Sequence, residues 1–337
     1  MTPRARAGTP PAAPTTPAVV IATRDRAARL ARTLARLTRL PERPDVLVVD
    51  NASSDGTAEL ARGFPGVRVL RAPVNRAALA RNDGVAALDA PYVAFSDDDS
   101  WWEPGALSRA AALLDAHPRL GLVAAAVRVG ADGGARDPLD RVLAASPLGA
   151  APGLPGRRVL GFLGCAAVVR RSAFLDAGGY HPLLFFGAEE TLLAYDLSAR
   201  GWGVSYCPEV VAVHDPAEGP RDGRSALVRR NELLTAWLRR PLPLALRRTT
   251  ALAAGAGRAP DARRALAGAL ARLPAALRAR RPLPAEVERA ARLLETAHAE
   301  EEHVDDGYAE NGYAEEEYAE AARAEGPYAE GARGDGR

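Results

Sequence analysis

Three consecutive carboxylates, Asp97, Asp98 and Asp99, follow the short apolar run Tyr92 to Phe95. Adjacent carboxylates repel one another, and the cluster calls for a counter-ion. A divalent cation is the natural one, because Mg²⁺ or Mn²⁺ prefers oxygen ligands and bridges one or two carboxylates to the phosphates of a substrate. A turn that caps the next helix would explain the triplet taken alone. Asp50 weighs against it, because it ends another apolar run, Val46 to Val49. A carboxylate at a strand end in an open α/β sheet faces the ligand crevice and can accept hydrogen bonds from a base N–H or a ribose hydroxyl. Asp50 and the triplet together point to one nucleotide site.

Such a site needs strands that stop along one edge, and the N-terminal half supplies them. Ala18 to Ala22 is a short apolar run suited to a strand buried on both faces, and Leu30, Leu34 and Leu37 recur at helical spacing as far as Leu40. Val46 to Val49 is a second buried strand, the Asp55-Gly56 turn leads into a helix over Thr57 to Arg62, and Val67 to Leu70 is a third strand. An Ala-rich helix, Arg76 to Leu88, precedes the strand at Tyr92 to Phe95. This alternation predicts an α/β fold with a mostly parallel sheet and helices on both faces. Further on, the pattern predicts a helix from Glu103, a strand over Gly121 to Val129, and a long surface loop from Gly130 to Arg158. Strands near Cys165 to Val169 and Val204 to Val213 flank a loop and helix bearing Glu189 and Glu190. Beyond Arg221, Arg alternates with Ala and Leu in helical patterns broken by Pro241, Pro243 and Pro274.

The chain has 337 residues, 47% of them apolar, enough for one large domain with an appendage. Its two cysteines, Cys165 and Cys207, form no CxxC pair and have no His/Cys cluster around them, which argues against a disulfide framework and structural zinc and for a cytoplasmic protein. The first residues lack the apolar core of a signal peptide, and no apolar run is long enough to span a bilayer. The net charge of +2 hides an asymmetry: residues 221 to 297 hold 17 Arg against 6 acids, and residues 298 to 337 hold 3 Arg against 13 acids. The basic block makes an anionic membrane surface a candidate partner. No recognition motif or interleaved aromatic pattern supports nucleic-acid binding. The expected organisation is a disordered leader (1–17), a catalytic domain (18–240), an Arg-rich helical appendage (241–297) and an acidic disordered tail (298–337) with Tyr-Ala-Glu units at Tyr308, Tyr313, Tyr318 and Tyr328.

The segments VVIATRDR, DVLVVDNASSDGT, NRAALARNDGVAALDAPYVAFSDDD, GCAAVVRRSAFLDAGGY, GAEETLLAYDLSARGWGVSYCPEVVAVHD and RRNELLTAWLRRP span about residues 18 to 241. In this order they resemble the family 2 glycosyltransferases of the GT-A fold. The resemblance implies a nucleotide-diphospho-sugar donor, Mn²⁺ or Mg²⁺, inversion at the anomeric carbon, and a glycan or lipid-linked acceptor, with polysaccharide synthesis at the inner face of the membrane as the usual setting. Matched residue by residue, it implies Asp50 as a contact to the base, Thr23 and Arg24 as neighbours of the nucleotide, and Asp97 and Asp98 on the ribose and phosphate side of the cofactor site. Asp99 then falls at the metal ligand of a DxD-type motif, and His214 at a position that completes the metal or diphosphate site.

The family's acidic catalytic pair falls on Glu189 and Glu190, with Gly201-Trp202 at the usual distance. Glu190 matches the general base, which takes a proton from the acceptor hydroxyl as that oxygen attacks C1 opposite the departing diphosphate; Glu189 would orient the acceptor. Leu192 stands where Asp is common and Asp196 where Arg is common. One or two of Arg221, Arg224, Arg229 and Arg230 would neutralise the leaving diphosphate, and Trp102 is a candidate stacking face for a sugar ring. A sugar nucleotidyltransferase is the competing enzyme class, but Thr23-Arg24-Asp25-Arg26 does not make the Gly-rich phosphate loop it needs. A non-catalytic sugar-nucleotide or glycan-binding protein is the competing binding class, motivated by Leu192 and Asp196.

Overall fold

A computed structural model describes residues 16–216 and 224–304; most of the expected leader, the tail from residue 305 onward and Arg221 lie outside it. The first half is β1 (Ala18–Thr23), α1 (Ala27–Leu37), β2 (Val46–Asp50), α2 (Thr57–Arg62), β3 (Val67–Arg71), α3 (Leu79–Ala86) and β4 (Tyr92–Ser96). Every residue of β1, β2 and β4 is buried, as expected of strands covered on both faces. α1 turns Leu30, Thr33, Leu34 and Leu37 inward at helical spacing, and each fully buried leucine contributes about 1.5–3 kcal/mol. Gly84 lets α3 lie close on the sheet, since a Cβ there would stand 2.6 Å from Val20 Cγ1.

The chain continues through β5 (Ser100–Trp102), α4 (Ala106–Ala116), β6 (Leu120–Val129), β7 (Ala135–Arg136), α5 (Pro138–Ala144), β8 (Arg157–Arg158), a 3-10 turn at Gly164–Ala166, β9 (Ala167–Arg170), α6 (Arg171–Ala177), α7 (Glu189–Ala199) and β10 (Gly203–His214). The sheet order is β3-β2-β1-β4-β9-β6-β10-β5. The expected parallel, helix-covered sheet is present in β3, β2, β1 and β4, and β6 and β10 are also parallel. β9 runs antiparallel between β4 and β6. Between β6 and β9 the chain passes the opposite end of the sheet, where a Cβ on Gly203 would meet Leu154 and the Gly153 carbonyl lies 2.9 Å from His117 Nδ1, before it returns to enter β9.

Three expectations change in detail. The segment Gly130 to Arg158 is not all loop, because Asp137 caps α5, accepting the Leu139 N–H at 2.8 Å, with Pro138 at the tolerated first position. The helix expected from Glu103 begins at Ala106, behind the added strand β5. Pro274 does not break its helix either; it is exposed, so solvent takes the place of the backbone bond it removes.

The remaining helices are α8 (Arg224–Arg239), α9 (Leu242–Ala256), α10 (Pro260–Arg278) and α11 (Ala285–Val304). The last carries the helix into the segment expected to begin the disordered tail, through residue 304. These helices pack on the α/β domain instead of standing apart from it. Leu184 and Leu192 share a core with Leu233, Leu238 and Ala269, and the buried Arg240 at the end of α8 binds Glu288 and Glu295 of α11. The domain boundary expected at residue 240 therefore falls inside a continuous packed region.

Candidate active site

Strand register brings the sequence motifs together. Thr23 pairs with Asp50 across β1 and β2. The β1–β4 register, with Ile21 opposite Ser96, carries on to set Thr23 beside Asp98, where the Thr23 hydroxyl donates to Asp98 Oδ2 at 2.8 Å. At the far side, His214 of β10 pairs with Ser100 of β5, next to Asp99.

Asp50 is fully buried. Its Oδ1 accepts the Ser53 N–H at 3.3 Å, and Arg71 Nε lies 3.3 Å from Oδ2. Oδ2 nevertheless has no hydrogen-bond donor among the described residues, which leaves a buried acceptor at the sheet edge. The loops after β1 and β2 lock together beside it: the Asp25 N–H donates to Ser53 Oγ, and the Ser54 N–H donates to Asp25 Oδ1. Arg24, half-buried, reaches Asp25 at 3.4 Å.

The three aspartates face three ways. Asp97 pairs with Arg81, a buried residue of α3 that the sequence reading had passed over. Asp98, expected on the cofactor side, turns inward onto Thr23, and burial together with the neighbouring Asp99 charge raises its pKa to about 7. That hydrogen bond ties the end of β1 to the turn after β4. Asp99 Oδ1 lies 3.4 Å from His214 Nε2, and Arg29 lies 3.4 Å from Oδ2. Burial works against a charged His214, but the Asp99 carboxylate outweighs it and raises the His214 pKa.

No group of three His, Cys, Asp or Glu side chains suited to a metal occurs among the described residues. Asp99 and His214 supply two donors, one oxygen and one nitrogen, on adjacent chain segments. This pair fits a divalent cation whose remaining shell comes from phosphate oxygens, the arrangement Mg²⁺ and Mn²⁺ commonly adopt.

Glu189 and Glu190 open α7, where the helix dipole favours carboxylates. The approach to them is strained: Phe185 and Ala188 have φ of 62° and 60°. Asn231 of α8 holds this turn, its Nδ2 lying 2.8, 2.8 and 2.5 Å from the carbonyls of Leu184, Phe186 and Gly187. Arg230, expected near the diphosphate, is buried and donates to the Leu184 carbonyl at 2.9 Å, so it braces the same turn. Burial, then the neighbouring Glu190 charge, raise Glu189 well above the usual carboxylate range, and burial raises Glu190. Arg81 opposes both shifts. Glu190 Oε1 comes so near Gly164 that a Cβ there would be 2.9 Å from it and 3.9 Å from Arg81 Nη2. Asp97, Arg81 and Glu190 thus adjoin one another, with the Tyr180 ring 5.9 Å from the Arg81 guanidinium.

The other expected residues are structural. Trp102 is fully buried and presents no face to a sugar, Trp101 lies under the Arg36 guanidinium at 3.8 Å, and Trp202 Nε1 donates to Asp176. Both departures from the family pattern have local partners. Asp196 takes a two-pronged contact from Arg239, at 2.5 and 2.9 Å, and Leu192 joins the core beneath α8. On the other side of Glu190 a cleft of about 740 Å³ opens between α5, α7, α8, α9 and α11, and Thr191, Phe162, Leu233 and Leu252 are among its walls.

The comparisons with known proteins agree with this architecture. The sequence profile described as Glycosyl transferase family 2 matches residues 18–177. The N-acetylglucosaminyl-diphospho-decaprenol L-rhamnosyltransferase of Mycobacterium tuberculosis (strain ATCC 25618 / H37Rv) is 30% identical over 281 residues, covering 69% of this chain and 90% of the relative. The succinoglycan biosynthesis protein ExoU of Rhizobium meliloti is 34% identical over 103 residues, 29% of this chain and 30% of its own. In structure, the chain resembles a mannosyltransferase from Pyrobaculum calidifontis in complex with GDP-Man and Mn²⁺, with a TM-score of 0.52, 21% identity, and coverage of 87% of this chain and 88% of the other. It also resembles S. aureus TarS 1-349 in complex with UDP-GlcNAc, with a TM-score of 0.53, 18% identity, and coverage of 87% and 93%. These two likenesses establish the GT-A fold. With the profile and the rhamnosyltransferase relative, they place this chain in glycosyltransferase family 2.

Proposed function

We propose that the protein is an inverting transferase that moves a hexosyl or deoxyhexosyl unit from a nucleoside-diphosphate sugar to a hydroxyl of a lipid-linked glycan acceptor. The observation that carries the reading is the position of Glu190: a carboxylate with a raised pKa, beside the Asp97–Arg81 pair on one side and open to a large cleft on the other. The lipid-linked acceptor rests on the likeness to the decaprenol-linked rhamnosyltransferase.

In this reading Asp50 accepts a base N–H with Oδ2, which Arg71 meets only as an ion pair, Thr23 and Arg24 border the nucleotide, and Asp97 holds the ribose and phosphate side. Asp99 and His214 hold Mn²⁺ or Mg²⁺. A bound cation there supplies charge neutralisation for the diphosphate as it leaves. Glu190 removes the proton from the acceptor hydroxyl, the oxygen forms a bond to C1, and the C1–O bond to the diphosphate breaks on the opposite face. Glu189, buried and with one oxygen unpartnered among the described residues, orients the acceptor. No described helix is long and apolar enough to cross a membrane. A peripheral place at the cytoplasmic face suits exposed Leu242 and Leu246 on an Arg-rich segment.

The test begins with thermal shifts in UDP, GDP, TDP and CDP, with and without Mn²⁺, since a ligand that binds only the folded state raises apparent stability. One nucleoside diphosphate should stabilise the chain, more so with Mn²⁺. Glu190→Gln should then abolish transfer while donor binding is retained. Retained transfer in Glu190→Gln, with loss in Glu189→Gln, would reverse the roles of the pair.

A further inference from the structure

We propose that the cleft behind Glu190 binds the isoprenoid diphosphate part of the acceptor, with the aliphatic chain against its leucine walls and the diphosphate at Arg229. This inference rests on the lipid-linked reading above and says where on this chain the lipid is recognised. Three observations support it.

The cleft adjoins the base on the side away from Asp50 and Asp99, which is where an acceptor has to enter. Its volume, about 740 Å³, lies in the range of sites that enclose a small organic ligand. Its walls are mixed: Leu143, Leu233, Leu252 and Leu294 give an aliphatic stretch, and Phe162, Tyr195, Thr191 and Thr235 add aromatic and polar surface. The aromatic and polar groups suit a sugar ring, and the leucine stretch matches a branched hydrocarbon.

Charge supplies the third. Arg240 and Arg248 also line the cleft, but their charges are taken up by Glu288 and Glu295 of α11. Arg229 is exposed at the cleft and forms no ion pair among the described residues. Glu232, one turn further along α8, feels the charges of both Arg248 and Arg229, so an incoming diphosphate competes with this carboxylate for the Arg229 guanidinium. A guanidinium presents paired donors that match phosphate oxygens. The sugar hydroxyl at Glu190, the diphosphate at Arg229 and the first isoprene units among the leucines then follow the chemical order of a lipid-linked sugar.

Four helices of this wall, α7, α8, α9 and α11, lie outside the part of the chain matched by the family profile, residues 18–177. The specificity assigned here therefore belongs to the C-terminal helices of this chain.

Farnesyl diphosphate is the probe, titrated calorimetrically into the full chain, with inorganic diphosphate and farnesol as controls. Farnesyl diphosphate should bind at least tenfold more tightly than inorganic diphosphate. Ala251→Trp, at an exposed helical position facing the cleft, should weaken farnesyl diphosphate at least tenfold. Arg229→Gln should weaken it severalfold and leave farnesol unchanged. Ala251→Trp should bind nucleoside diphosphate with Mn²⁺ as the parent does, and Arg229→Gln should melt at the parent's temperature, which confirms that both are folded. Equal affinity for farnesyl and inorganic diphosphate, or no effect of Ala251→Trp, would overturn the inference. So would farnesyl diphosphate binding that appears only after residues 305–337 are removed, because the cleft would then belong to that segment. A chain that binds nucleoside diphosphate but ignores farnesyl diphosphate loses this inference and keeps the transferase reading. Binding of farnesyl diphosphate without any nucleotide binding does the reverse.

Discussion

Gly164 and the carboxylate of Glu190 compete for the same space, since a Cβ on Gly164 would stand 2.9 Å from Glu190 Oε1. The atom it would meet is the end of a flexible side chain, so Gly164→Ala can be accommodated by moving the carboxylate, with stability changed by no more than about 1 kcal/mol. The base role proposed for Glu190 is what that movement disturbs. A shift of even a few tenths of an ångström in a reacting group is felt in the rate, and we expect kcat to fall by about ten- to a hundredfold with donor affinity unchanged. Thermal melts, donor titration and steady-state kinetics on one variant separate the three quantities.

Arg81 holds Asp97 and lowers the pKa of both Glu189 and Glu190 against the effect of burial. Removing its charge in Arg81→Gln should let the Glu190 pKa rise further. Ionised base is then scarcer at neutral pH, so the acid limb of the rate profile moves to higher pH and activity recovers in alkaline buffer. Arg81→Lys, which keeps the charge, should restore much of the parent profile. A uniform loss at every pH would assign Arg81 to packing alone.

The raised pKa of His214 predicts opposite pH effects with and without metal. In the metal-free protein the Asp99–His214 charge pair contributes stability fully below the ordinary histidine pKa, and that contribution fades as pH rises through the raised value. A metal needs neutral imidazole, so Mn²⁺ affinity should increase over the same rise in pH. Asp99→Asn removes both effects. Melting curves with chelator and with Mn²⁺, from pH 5.5 to 8.5, give the two trends directly.

Asp98 titrates in the same sense, over a lower range of pH. Its pKa is raised from 3.8 to about 7, chiefly by burial, so the folded state holds this proton more tightly than the unfolded state does. Its contribution to stability therefore declines as pH climbs from near 4 toward 7. Asp98→Asn can still accept the Thr23 hydroxyl and carries no charge to bury. The variant should match the parent near pH 4 and exceed it at pH 8 by up to a few kcal/mol, read in metal-free buffer as an upward shift in denaturation midpoint.

Residues at strand ends were legible in the sequence because an apolar run followed by Asp states both its element and its exit point. Asp50, Asp99 and His214 could be placed that way. Arg81, Gly164, Tyr180 and Asn231 could not, since each acts across the fold: Arg81 sits in an Ala-rich helical stretch where an arginine reads as a solvated residue, and Asn231 works by reaching carbonyls some 45 residues earlier. All four lay within segments matching the family, where a motif marks a stretch without saying what each side chain touches. Asp98 and Asp99 lie in the turn between β4 and β5, so the direction each carboxylate takes is set by that turn, which the triplet does not spell out. The domain boundary at 240 followed a change in composition, and composition does not register the buried contacts of a residue such as Arg240.

Arg240 offers a direct measure of how firmly the C-terminal helices are joined to the catalytic domain. Its side chain is 1% exposed, with Nε 2.7 Å from Glu288 Oε2 and a second pairing to Glu295. Replacing it with Met would leave Glu288 with Arg292 alone and Glu295 with Arg248 alone, both beside a new apolar surface. Breaking a buried pair from one side costs about 3–5 kcal/mol, and the low end applies here because Glu295 is partly exposed and can turn to solvent. Val287, Ala290 and Ala291 still pack inward, so α11 should loosen without the domain unfolding. Hydrogen exchange should therefore speed up in residues 285–297 while β1, β2 and β4 stay protected. Adding Glu295→Gln to Arg240→Met should recover part of the loss, because one carboxylate is gone from beside that apolar surface. If exchange in α11 is unchanged, apolar packing alone holds that helix and the charge cluster is dispensable. If protection falls across the whole sheet, the catalytic domain does not stand without its C-terminal helices.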